Sequence, residues 1–124
     1  MLKGIVSVGG LLLMIPLAWG SVSLELTQAI DHNCDGVADS ALSHQDMTVL
    51  PGQCIVYRIS AENKGSTVVS NIILRGNIPH HTQLQGIETI PTISDDYSVS
   101  RTFSSLQPGV ENKLSLQYWV QILR

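Results

Sequence analysis

Charge is scarce in this chain of 124 residues: 14% of the side chains are Asp, Glu, Lys or Arg, seven basic against ten acidic, for a net charge of -3. Nothing in that balance could neutralise a row of phosphates, so nucleic acid is not an expected partner. A hydrophobic fraction of 44% beside so little charge argues against disorder and against a long solvated helix. After residue 20 no 3.6-residue apolar period persists for three turns, so the helices that an α/β crossover fold requires are missing. Cys-x-x-Cys, Gly-x-Ser-x-Gly, His-Glu-x-x-His and Asn-x-Ser/Thr are all absent, which leaves no motif for thiol exchange, for hydrolysis or for a glycan.

What is present begins with an address. Met1 to Lys3 supply a short positive start, and Gly4 to Leu17 form an apolar run interrupted by Gly9, Gly10 and Pro16. The run is short for a bilayer span, and Ala18-Trp19-Gly20 puts small residues three and one before Ser21. Residues 1–20 are therefore expected to be a signal peptide cut after Gly20, and residues 21–124 a single exported domain with no membrane span of its own. The cut leaves six basic and ten acidic side chains, a net charge of -4. Export delivers Cys34 and Cys54, the only cysteines, to an oxidising compartment where a disulfide between them is the expected state.

The exported part reads as strands. Leu114, Leu116, Tyr118, Val120 and Ile122 alternate with Ser115, Gln117, Trp119 and Gln121, a period of two held over nine residues. Ile55, Tyr57, Ile59 and Ala61 do the same and stop at the turn cluster Asn63-Lys64-Gly65-Ser66. Thr67 to Leu74 is β-branched and reads as the second arm of a hairpin with that strand. Val22 to Ile30 alternates with Gln28 as the one break in its apolar face; Thr82 to Thr92 and Tyr97 to Phe103 alternate more weakly, and Met47 to Leu50 is a short further piece. About seven strands without helices predict an all-β immunoglobulin-like antiparallel sandwich.

Leu50-Pro51-Gly52, Ile55, Tyr57, Ile59, Asn63, Gly65, Asn71, Ile78-Pro79, Leu106 and Pro108-Gly109, preceded by the acidic stretch Asp31 to Asp39, resemble a bacterial conserved-repeat family called domain of unknown function 11. The resemblance covers about Leu26 to Ile122. It implies a non-catalytic exported sandwich of the kind found in envelope, cell-surface and adhesin-like proteins. Family members usually carry tandem copies, whereas this sequence holds one and shows no internal repeat; Cys34 and Cys54 are additions to the general pattern.

Asp31, Asn33, Asp35 and Asp39 stand at positions 1, 3, 5 and 9 of an EF-hand-like calcium loop with Gly36 at position 6. Position 12 is Leu42, so a more distant carboxylate such as Asp46 would have to close the site; the plain alternative is an acidic surface loop rich in Asx turns. His80 and His81 read as solvated loop residues, and His32 and His44 lie near the cysteines. Trp119, on the polar face of the last strand, is either a contact residue in a protein interface or is covered by a neighbouring loop. The expected function is that of an exported, non-enzymatic sandwich acting through protein contacts in the periplasm, at the cell surface or outside the cell. A self-assembling fibre subunit that donates Ser21 to Ile30 to a neighbour, and a small secreted calcium- or metal-binding protein, are the alternatives.

Overall fold

The computed structural model describes residues 12–14, 22–45, 47–88, 93–94 and 97–123. The described strands are β1 (Leu12–Met14), β2 (Val22–Asp31), β3 (Cys54–Asn63), β4 (Val69–Asn77), β5 (Thr82–Ile87), β6 (Ile93–Ser94), β7 (Ser98–Leu106) and β8 (Leu114–Ile122), with one 3-10 turn at Val110–Asn112. They form two antiparallel four-stranded sheets, ordered β2-β3-β8-β5 and β1-β4-β7-β6. The protein is an all-β sandwich, as the alternating pattern predicts. Among the described residues no helix is long and apolar enough to cross a membrane.

Alternation explains the inner layer. Ile55, Tyr57, Ile59 and Ala61 of β3 and Leu116, Tyr118, Val120 and Ile122 of β8 are all fully buried, meeting Ile72 and Leu74 of β4 and Val99 and Leu106 of β7 in one core. Tyr57 and Tyr118 pair directly across β3 and β8, their rings 5.5 Å apart. Burial holds both phenol hydroxyls protonated far above their ordinary range. Val69 and Ile72 are three residues apart and both buried, although strict alternation would put them on opposite faces. Asn71, at φ 58, supplies the left-handed step that reverses the alternation between them.

Two polar links join the sheets. At one end the Tyr118 hydroxyl donates to Asn77 O at 2.8 Å, and Gly76 leaves room for it, since a Cβ there would fall 2.5 Å from the hydroxyl oxygen. At the other, Asn63 closes the end of β3: its Nδ2 donates to Thr67 O at 2.7 Å and to Leu106 O at 3.1 Å, and its Oδ1 accepts the Gly65 N–H at 2.9 Å.

Two expectations are corrected. The strands around Tyr57 and Ile72 are not a hairpin: β3 pairs with β2 and β8, while β4 pairs with β1 and β7. The turn at Asn63 carries the chain from one sheet to the other, because both strands have an apolar face to bury and stacking the sheets buries both. Met47 to Leu50 is not a strand; it is irregular chain that contributes the fully buried Val49. Within the apolar N-terminal run, Leu12–Met14 lie as a strand on the edge of β4, opposite Ile73–Arg75. The rest of that run and the expected cut after Gly20 lie outside the described residues, as does Asp46.

Candidate functional site

The chain leaves β2 at Asp31 and turns back over the outer face of the β2-β3-β8-β5 sheet. Cys34, at φ 54, and Gly36, at φ 86, make the turn tight. The Cys34–Cys54 disulfide, with its Cα atoms 5.2 Å apart, ties the turn to the start of β3. Beneath it lies Trp119: a Cβ on Gly36 would come 2.7 Å from the indole ring, and Gly86 on β5 is pressed closer still against the same ring. Two glycines therefore form the slot that holds the tryptophan, one from the acidic loop and one from the irregularity between Leu84 and Gly86 in β5. Val56, opposite Trp119 on β3, and Ala29, opposite Val56 on β2, are buried in the same outer layer.

Polar contacts hold the turn in place. Gln117 Nε2 donates to Gly36 O at 3.4 Å and its Oε1 accepts from Arg58 Nε at 2.9 Å; Gln121 Nε2 donates to Gly52 O at 3.0 Å. Asp31 is fully buried. Its Oδ2 accepts the Gly36 N–H at 2.8 Å, while its Oδ1 is buried with no hydrogen-bond partner. Loss of solvent, and after it the neighbouring Asp35 carboxyl, raise the Asp31 pKa, against the pull of the Gly36 N–H. Asp35 Oδ1 accepts the Val37 N–H at 2.9 Å. Asp39 is turned the other way: its Oδ2 accepts the His32 N–H at 2.8 Å and contacts His32 Nδ1, and those bonds lower its pKa.

Of the expected calcium ligands, then, Asp31 and Asp35 are neighbours, Asp39 is engaged by His32, and Asn33 is exposed. Among the described residues no group of three or more His, Cys, Asp or Glu is placed to hold a metal ion. The histidines are scattered: His32 on Asp39, His44 with its Nε2 3.3 Å from Glu25 Oε2, and His80 and His81 exposed in the turn before β5. Trp119, read as an interface residue, is half-buried beneath the acidic loop.

Sequence reasoning did not find Gln117, Arg58, Gln28 or Gly86. Gln28 is buried and gives its Nε2 proton to Gln45 O at 2.9 Å, which turns the break in its apolar face into an anchor for the 39–45 segment. In sequence each glutamine is a polar residue at an unremarkable position of an alternating strand, and no spacing rule separates a tethering glutamine from a solvated one. No protein-family model matches the chain, and no curated protein or solved structure is detectably similar to it.

Proposed function

We propose that the protein is an exported, immunoglobulin-like sandwich module of the conserved-repeat type, acting without catalysis through protein contacts in the cell envelope or at the cell surface. The observation that carries this reading is the Cys34–Cys54 disulfide, which pins a loop across one sheet face and persists in an oxidising compartment. The apolar N-terminal run ahead of the sandwich provides the route there. Ten residues of β2 pair with β3, from Val22 opposite Asn63 to Asp31 opposite Cys54, and this supports a module folded on its own N-terminal strand over one that donates it. Fractionation of cells producing the full chain, with the mass of the unreduced protein, tests the proposal: the expected species is exported, starts at Ser21 and lacks two thiol hydrogens. A cytosolic chain with free thiols overturns it.

A second reading, a cation held at the acidic turn, has one specific observation in its favour. The Oδ1 of Asp31 is buried without a hydrogen-bond partner and the carboxyl sits beside that of Asp35.

A further inference from the structure

Two open sheets have four edges, and an edge left bare is a template for another strand. In the β2-β3-β8-β5 sheet, β2 is guarded by the chain that follows it: Gln28 and Ser43 exchange backbone bonds of 2.9 and 3.0 Å, and the Asp39 N–H donates to Ile30 O at 2.9 Å. At the other side β5 is interrupted between Leu84 and Gly86. In the second sheet β7 is covered by β6 at Ile93–Ser94. Among the described residues the outer edge of β4 pairs with Leu12–Met14, and those residues belong to the apolar run read as a leader.

We propose that removal of the leader bares the outer edge of β4, and that a second copy of this chain takes its place there, β4 pairing with β4 antiparallel about a two-fold axis at Ile73. The proposal names the partner for the contact function above, and it rests on that reading's leader. β1 runs antiparallel to β4 with Met14 opposite Ile73 and Leu12 opposite Arg75, so the edge from Ile73 to Arg75 accepts an antiparallel strand. Its own sequence is self-complementary about Ile73. Ile72 would face Leu74 of the second copy, and both are fully buried inner-layer residues, so the core layer runs on from one sandwich to the next. Arg75, the one charged residue of β4, would face Asn71 rather than another cation. Half-buried Ile73 would meet its own equivalent on the outer face. Such a contact uses the same patch on both copies and closes at a dimer, unlike the head-to-tail exchange of a fibre.

Cysteine placement tests the geometry. Facing residues of an antiparallel pair have Cα atoms about 4.5–5.5 Å apart, within reach of a disulfide, whereas two copies of residue 75 would lie about 13 Å apart along the strands. In the exported full-chain product, Ile73→Cys is expected to give a covalent dimer linked through the substituted position, and Arg75→Cys to stay monomeric. Ile73→Lys sets like charges face to face and is expected to weaken the dimer at least about tenfold by sedimentation equilibrium, with the Cys34–Cys54 bond intact. An exported protein that begins at Ser21, yet gives no dimer with Ile73→Cys, overturns the edge pairing and leaves the leader reading standing. A purified product that retains residues 1–20 overturns the leader reading, and the bared edge with it.

Discussion

Asn63 makes the sharpest test of how the two sheets are joined. Its side chain is 1% exposed and makes three hydrogen bonds, two given to the carbonyls of Thr67 and Leu106 and one taken from the Gly65 N–H. Asn63→Ala removes all three, at a net cost of about 1 kcal/mol each, so a loss of about 3 kcal/mol is expected. That is a large part of the 5–15 kcal/mol typical of a whole domain, and corresponds to a drop in Tm of roughly 12–24 °C. Asn63→Asp separates acceptor from donor. It keeps the oxygen that accepts from Gly65 but sets a carboxylate against two carbonyls, which raises its folded-state pKa above the unfolded value near ~3.9. The folded state then binds more protons than the unfolded one in that window, so the deficit of Asn63→Asp relative to the parent should shrink as pH falls from 7 towards 4. Urea denaturation at several pH values reads both variants, with Lys64→Ala, an exposed neighbour in the same turn, as the control expected to stay within about 0.5 kcal/mol. A loss below about 1 kcal/mol for Asn63→Ala, or a deficit of Asn63→Asp that does not change with pH, would refute the reasoning.

Five further outcomes follow from the acidic loop and the slot beneath it. Because burial and Asp35 raise the Asp31 pKa, its ionisation weighs against folding at neutral pH, and stability from this group is regained as pH falls through the raised value; Asp31→Asn keeps the acceptor for Gly36 and should raise Tm at pH 7 while removing that acid-side gain. Asp39 has the opposite sign: its bonds to His32 stabilise the fold above the ordinary carboxylate range and are lost as pH falls through its lowered pKa, so the pH profile of Asp39→Asn should flatten on the acid side. Replacing Cys34 and Cys54 together by serine should cost about 3 kcal/mol in urea, from the closed loop of twenty residues, and a cost near zero would mean the loop is held by its polar contacts alone. Gly86→Ala drives a methyl into the ring of Trp119, the one tryptophan after residue 20, and should shift its fluorescence and cost about 1–3 kcal/mol. For the cation reading, calcium near ~1 mM should raise the Tm of the parent and not that of Asp31→Asn; an unchanged parent ends it.

Sequence alone determined the strands whose two faces differ. β3 and β8 were legible to within a residue, because the inner face of each is apolar and fully buried, the outer face is mostly polar, and the backbone alternates with a period of two. The same local rule exposed Gln28 as a break in a face, though it said nothing of Gln45, the partner that makes burial tolerable. The disulfide was legible too, from two cysteines in a chain whose apolar N-terminal run reads as a leader. Which strand lies beside which was not, since an apolar face specifies only that it must be covered: β3 and β4 looked like a hairpin and belong to different sheets. The acidic stretch shows the same division. Its Asx residues at turn spacing marked a tight loop, but only the tertiary structure decided that Asp31 is buried beside Asp35, that Asp39 turns to His32, and that Gly36 and Gly86, fifty residues apart in sequence, both close on one tryptophan. Periodicity records the environment of each residue along its own strand; which distant chain supplies that environment is set by the packing of the whole sandwich.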